Sequence, residues 1–357
     1  MNKRPLPGST HSDSELLGEA TWTVSELATD FKPRWRHANK IAVALLATPP
    51  NALHDGEVRA SRWRGAGAPE ILCTPESIVP KRGFFTYPEP SADDDTTHWH
   101  LNFADPFLFG YGEGSLLAQD ELQITEHPCL ASVAYAIESG LHGQGGLTRR
   151  TQEGGEATPV LIEGAPRRCS LDTTHLYGDL FGGASTNQVQ AATKVLNPPT
   201  RSNILALAAL RPSFGEYTEE QIRELFMIAH AGSSAIVRRS GRATLHTGHW
   251  GCGAFGGNKG LVAAIQLLAA GTAGVERVCF WWGHTGLDHS SLEHAIAVAE
   301  RLNGSTLEDA VGRLTRARYC WGEANENHVP YEPPKCCLLA DVQGRPPESD
   351  FSGPSLG

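Results

Sequence analysis

Thr247-Gly248-His249-Trp250-Gly251-Cys252-Gly253-Ala254-Phe255-Gly256-Gly257 leads directly into the amphipathic stretch Asn258 to Ala270. Five glycines in eleven residues, ending where a helix begins, describe a backbone that something can approach closely. Glycine reaches φ > 0 without strain and has no Cβ in the way, and the first N–H groups of a helix lack intrahelical partners and favour an anion. A phosphate or diphosphate is the natural guest. Taken alone, the run reads first as a tight turn between a strand and a helix.

Working outward, Leu261, Ala264, Ile265 and Leu268 recur at helical spacing, and Gly271 is placed as a stop, so a core-facing helix follows the loop. Val275 to Trp282 is apolar, aromatic and β-branched, of strand length. Trp99 to Phe103, Thr158 to Ile162 and Ile204 to Leu210 read as further strands. Leu116 to His127 reads as a helix ended by Pro128, and Tyr217 to Ala231 as one opened by the capping box Thr218/Gln221. Two more helices carry the boxes Ser290/Glu293 and Ser305/Glu308. Alternation of this kind predicts an α/β sandwich with a mostly buried mixed sheet and no internal repeat. Val24 to Phe31 and Ala38 to Ala47 give short helical signals. The expected division is therefore a flexible N-terminus over 1–20, a helical or irregular accessory layer over 21–80, the main domain over 81–330 and a flexible tail over 331–357. Gly140 to Gly155, rich in glycine and polar, is expected to be a mobile insertion.

The chain has 357 residues, enough for a sizeable core, with 40% hydrophobic and 20% charged residues, as in a soluble globular protein. A formal charge of -10 argues against nonspecific adhesion to nucleic acid or anionic membrane, while leaving room for one basic pocket. No secretory signal is apparent in Met1 to Leu17, and the longest apolar runs are too short to span a bilayer. Eight dispersed cysteines without a CxxC pair suit reduced thiols, and a cytoplasmic location is expected.

A second segment carries equal weight: Leu101-Asn102-Phe103-Ala104-Asp105, then Phe109-Gly110-Tyr111-Gly112-Glu113-Gly114, then Gln119-Asp120-Glu121. A buried strand ends in a glycine-containing loop that enters a helix bearing three consecutive polar residues. On that helix Leu117, Glu121 and Ile124 share a face, so Glu121 points partly inward, where burial raises a carboxyl pKa and lets it hold a proton near neutrality. By itself the run is also compatible with a solvated acidic turn.

Together the two segments resemble the poly(ADP-ribose) glycohydrolases. That family's signature is three glycines, seven residues, then Gln-Glu-Glu, and its later run is Thr-Gly-Asn-Trp-Gly-Cys-Gly-Ala-Phe-Gly-Gly, from which this chain departs only at His249. The resemblance covers about residues 97–130 and 200–318. It implies a macrodomain-like mixed sheet sandwiched by helices, with a small N-terminal helical or irregular extension, and an ADP-ribosyl glycohydrolase that cleaves the O-glycosidic or a related bond at the terminal ribose. Carried over residue by residue, it implies Glu121 as general acid and Asp120 as its catalytic neighbour. Gln119, with Asp120, would position the riboses. Asn102 and Asp105 fall on the family's strand end, Asp105 in place of a ribose-contacting Asn. Gly110 and Tyr111 fall on the glycine loop, and His249, Gly253, Ala254 and Phe255 hold the diphosphate and distal ribose. Trp282 stacks near the adenosine, and Tyr177, then Phe181, are candidates for the adenine-stacking aromatic.

The departures concern the loop. Phe109-Gly110-Tyr111 stands where the family has three glycines, Asp120 is one methylene shorter than Glu, and His249 replaces Asn. They leave the acid in place and open the choice of acceptor: polymer, or, as alternatives, mono-ADP-ribosylated protein or nucleic acid, or a non-catalytic ADP-ribose-binding macrodomain. ADP-ribose or an ADP-ribosylated macromolecule is the expected partner. Neither cofactor nor metal is called for. The competing constellations are His98-x-His100, His284 with His289, and Cys320, Cys336 and Cys337 with His328, each without a complete ligand set for a metal. Gly251-x-Gly253-x-x-Gly256 matches a dinucleotide fingerprint but lacks the acidic residue about twenty positions on. Trp281 reads as a core aromatic.

Overall fold

The computed structural model describes residues 14–322, except 66, 89–90, 92–93, 142–144 and 284–285. Among these residues the strands are β1 (Glu15–Thr23), β2 (Glu57–Arg64), β3 (Ser77–Lys81), β4 (Thr97–Ala104), β5 (Gln152–Glu153), β6 (Glu156–Ala157), β7 (Val160–Leu171), β8 (Thr193–Ala208), β9 (Ala243–Gly248) and β10 (Arg277–Trp281). The helices are α1 (Val24–Thr29), α2 (Ala38–Ala47), α3 (Gln119–Glu126), α4 (Cys129–Ser139), α5 (Leu180–Gly183), α6 (Thr186–Ala192), α7 (Glu219–Ser240), α8 (Lys259–Thr272), α9 (Gly286–Leu302) and α10 (Leu307–Arg316).

Eight strands form one mixed sheet in the order β1-β2-β7-β8-β4-β9-β10-β3. The half from β8 to β3 is parallel, and the half from β1 to β8 is antiparallel. Alternation of side chains along a strand explains the two-faced burial. On β8, Leu205 and Leu207 enter one core with α7, α8, α9 and α10, while Ile204 and Ala206 enter another with α1 and α4. The same period places Trp99 and Leu101 of β4 on the first face and leaves Asn102 on the face where α3 packs. A smaller apolar cluster joins α2 and α6 below the loop before α3.

The α/β sandwich with a mixed sheet stands, and its N-terminal part corrects the expected division. Residues 15–20 are not a flexible end but part of strand β1, zipped antiparallel to β2 over the full length of the strand. Residues 21–80 are not a layer apart, because β2 and β3 are built into the same sheet, β3 pairing parallel to β10. The helices α1 and α2 do occur where the periodicity puts them. The described part of 140–155 is held rather than loose: Arg62, itself 2% exposed, bonds to the carbonyls of Arg150 and Gly146 and to Glu153 and Thr158. The Thr218/Gln221 box caps α7 as read. The other two boxes shift. Ser290 lies inside α9, and α10 is capped by Thr306 accepting from the Asp309 N–H, one residue beyond Ser305/Glu308. The tail from 331 lies outside the described residues.

Candidate functional site

A cavity of about 1250 Å³ opens at the carboxyl ends of the five parallel strands. Each of these strands ends at its wall: Gly83 and Phe84 follow β3, Asp105 follows β4, Ala209 follows β8, His249 follows β9 and Trp282 follows β10. Parallel sheets bind ligands at this edge because the loops there are free to vary while the strands hold them in place.

The loop after β9 is shaped by its own backbone. Gly257 N–H donates to Gly251 O at 2.9 Å, Gly256 N–H to Gly253 O at 3.0 Å and Cys252 N–H to His249 O at 3.1 Å. Gly251 and Gly256 sit at φ 69° and 66°, the left-handed region that favours glycine. Trp250 is fully buried and anchors the turn through Nε1 to the Leu207 carbonyl at 3.0 Å. Gln266 ties α8 to the strand end, accepting from Thr247 Oγ1 and donating to Gly248 O. Asn258 caps α8 by accepting from Leu261 N–H. The N–H groups of Gly253, Ala254 and Phe255 take no part in these bonds, and all three residues line the cavity just before the helix N-terminus. A rigid turn of this kind is a preorganised cradle for an anion.

Across the cavity lies α3. Every residue from Gln119 to Glu126 is buried, so Glu121 is held inside by the packing of the whole helix rather than by one apolar face. Leu117, which the sequence places on that face, precedes the helix and bridges to Gly178. Gln119 braces the helix against β4, accepting from Phe103 N–H at 2.8 Å and donating to Leu101 O at 3.0 Å. Asp120 accepts from Asn102 Nδ2 at 2.8 Å. Glu121 lines the cavity, is 5% exposed, and its Oε2 has no hydrogen-bond partner.

The electrostatics follow from burial. Desolvation pushes the carboxyls of both Asp120 and Glu121 above their ordinary range, and the charge of Glu121 raises Asp120 further. Lys40 opposes this for both. Its side chain reaches from α2 to the underside of α3 and is fully buried, and burial lowers its own pKa to about 8.

The other expected residues divide. Asp105, Tyr111, His249, Trp282 and Tyr177 are at the cavity wall. Asp105 Oδ1 accepts from Phe107 N–H, His249 Nε2 lies 3.4 Å from Ser291 Oγ, and Trp282 meets His289 edge to face at 4.9 Å. Tyr177 stacks on Phe84 with centroids 4.8 Å apart. Two residues are not at the wall. Asn102 is fully buried behind Asp120, and Gly110 turns away because its N–H closes a tight turn onto Phe107 O. Phe109 is 4% exposed and packs in the core at φ 55°, so of the two aromatic rings in the altered loop only Tyr111, 66% exposed, meets the cavity. Phe181 is fully buried and also lies elsewhere.

Trp281 is buried yet forms part of the wall, its Nε1 donating to His246 Nδ1 at 3.2 Å. His98 is spent on Asp94 and His246, and His100 stacks on His246 at 4.2 Å. Among the described residues no group of three or more His, Cys, Asp or Glu is arranged to hold a metal ion. His284, His328, Cys336 and Cys337 lie outside those residues. No helix among the described residues is long and apolar enough to cross a membrane.

Three features escaped the sequence: Lys40, the Phe84/Phe85/Tyr87 wall, and the pair Lys259–Asp288 at 2.5 Å beside the loop. For Lys40 the sequence carried no signal, because the inversion shows only once the helix is packed. In α2, Asn39 and Lys40 are buried while Ile41 is 41% and Leu45 70% exposed, the reverse of ordinary amphipathicity.

Residues 160–288 match the family model described as "Poly (ADP-ribose) glycohydrolase (PARG), Macro domain fold". Among solved structures, the chain is similar to poly(ADP-ribose) glycohydrolase from Thermomonospora curvata at 18% identity, covering 78% of this chain and 85% of that one with TM-score 0.43. It is also similar to the enzyme from Deinococcus radiodurans in complex with ADP-ribose at 13% identity, covering 79% and 93% with TM-score 0.38. The match to the family model takes in β7 to β10 and the whole glycine loop, so over residues 160–288 the chain is similar to the catalytic domain of the poly(ADP-ribose) glycohydrolases.

Proposed function

We propose that the cavity binds ADP-ribose and that the protein hydrolyses the glycosidic bond at its terminal ribose, with Glu121 as general acid. The observation that carries this reading is Glu121 Oε2, buried and unpartnered at the wall of the cavity that the glycine loop also lines. A glycosidic bond breaks through an oxocarbenium-like state, which needs a proton on the departing oxygen and negative charge near the anomeric carbon. Glu121, its carboxyl raised by desolvation, donates that proton as the C–O bond breaks. The N–H groups of Gly253, Ala254 and Phe255 hold the diphosphate, whose own charge stabilises the cation. Water then adds to the anomeric carbon and returns a proton to the Glu121 carboxylate, so one acid suffices.

In this reading Asp120, oriented by Asn102, contacts ribose hydroxyls; Gln119 acts through β4 as a brace. Asp105, Tyr111 and His249 contact the sugar and phosphates, and Trp282 and Tyr177 flank the adenosine. The free thiols of Cys73, Cys129, Cys169, Cys252 and Cys279 suit a reducing, cytoplasmic setting.

The test measures ADP-ribose binding by calorimetry and ADP-ribose release from poly(ADP-ribose), mono-ADP-ribosylated protein and modified nucleic acid, with wild type and Glu121→Gln. The expected result is unchanged binding and a fall in release of about 10²- to 10⁴-fold. Equal turnover by the two proteins would remove Glu121 from the mechanism, and binding without release by wild type would make the protein a reader of ADP-ribose.

A further inference from the structure

Lys40 Nζ donates to Gly112 O at 3.0 Å, to Glu121 O at 3.3 Å and to Thr125 Oγ1 at 2.9 Å. All three acceptors are neutral, and they match the three donors of an ammonium group, so the charged form is satisfied without a carboxylate partner. Thr125 Oγ1 itself donates to Glu121 O at 2.6 Å, closing a small network around the first turn of α3. The chain just before α2, with Tyr135 of α4, also grips the loop before α3. Arg34 N–H donates to Glu113 Oε1, Arg36 N–H donates to Glu113 O, and Tyr135 Oη donates to Glu113 Oε1.

We propose that Lys40 is a positioning residue for the pocket acid. It ties the Gly112 loop to the first turn of α3 and places a buried positive charge beside the Asp120–Glu121 pair. This rests on the reading of Glu121 as that acid. A buried ion is retained only where it is solvated by the protein, and here the solvation consists of the backbone that carries the acid. The other groups facing α3 do not supply that charge. Arg167 on β7 is neutralised by Glu126 at 2.8 Å. His100 on β4 and His127 at the turn into α4 are held neutral by burial, as are the thiols of Cys129 and Cys169. Asp105 adds negative charge.

The experiment is a pH series of kcat for wild type, Lys40→Met and Lys40→Arg, with ADP-ribose affinity measured alongside. A general acid works while protonated, so kcat falls as pH rises through its pKa. A neighbouring cation lowers that pKa, so its removal moves the alkaline limb to higher pH. The expected result for Lys40→Met is a limb displaced upward by about half a unit or more, a threefold change in ionisation constant, with kcat at its optimum down by about 10- to 100-fold and ADP-ribose affinity unchanged. Lys40→Arg keeps the limb in place. An unmoved limb in a folded Lys40→Met protein overturns the proposal.

A second measurement needs neither turnover nor a folded Met variant: the titration of Lys40 followed by carbon NMR of lysine-labelled wild type and Glu121→Gln. Coupling is reciprocal, so loss of the Glu121 charge lowers the Lys40 midpoint below its value of about 8. Identical midpoints overturn the electrostatic link. If wild type releases ADP-ribose from nothing, the hydrolase reading fails while the Lys40 titration still decides this one.

Discussion

Gly257→Ala tests whether the loop after β9 is the rigid cradle described above. A Cβ at this position would lie 2.7 Å from Gly251 O and 3.3 Å from Gly251 C, and both are backbone atoms of the same turn. It would also meet Val262 Cγ2 at 3.4 Å, so retreat toward α8 is blocked. The contact with Gly251 O is closer than any real Cβ makes, and the Gly257 N–H bond to that same oxygen, 2.9 Å long, must stretch or break to relieve it. Overpacking of this kind costs about 1–3 kcal/mol. Where the strain is released by opening the turn, it reappears when an anion requires the turn to close, and ADP-ribose affinity falls by about 5- to 150-fold. Where the turn stays closed, the cost appears as lost stability, at roughly 2–4 °C per kcal/mol. Isothermal calorimetry with ADP-ribose and thermal unfolding separate the two. Gly183→Ala is the control, because a Cβ there meets nothing within 4 Å. A Gly257→Ala protein with wild-type affinity and wild-type melting temperature would refute the geometry assigned to the loop.

Further expectations concern the acid and the altered loop. Burial raises the Glu121 carboxyl above 4.5, so the folded state binds that proton more tightly than the unfolded chain and stability declines as pH rises from about 4.5 through the folded value. Glu121→Gln therefore melts higher than wild type at pH 8, by about 2–4 °C for each kcal/mol relieved, with the difference vanishing near pH 4; a gain independent of pH would contradict the burial argument. Phe109 is core, so Phe109→Ala costs about 3–5 kcal/mol in denaturant unfolding. Its φ of 55° makes Phe109→Gly the less damaging change by about 1 kcal/mol despite the smaller side chain, and the reverse order would show that the backbone is not strained. Tyr111→Ala, at an exposed cavity residue, should change kcat/KM on different acceptors while leaving the melting temperature alone.

The features that were legible are local in sequence. The glycine loop announces itself because its turn bonds join residues within six positions of one another, from His249 to Gly257. Helix α8 is readable from its apolar period, and α2 has the expected bounds because helix hydrogen bonds span only four residues. Pairing of strands is different. Nothing within Ser77–Lys81 says that it joins β10, two hundred residues on, and nothing within Glu15–Thr23 separates an edge strand from a loose end, because the partner supplies the hydrogen bonds. β8 runs eleven residues further back than its apolar part because its first half pairs with the far end of β7 while remaining largely exposed, where hydrophobicity gives no signal.

By itself the sequence determined an α/β chain with a glycine-rich turn before a helix and a carboxylate pair on a second helix. Only the tertiary structure decided that both line one cavity, that Phe109 leaves it while Tyr111 stays, that Asn102 lies behind Asp120, and that Lys40 lies beneath Glu121. The reason is that side-chain direction and local dielectric are properties of surroundings. A lysine in a helix of alanines and leucines reads as the solvated face until α3 covers it, and a glutamate's acidity is set by how much water the rest of the fold removes.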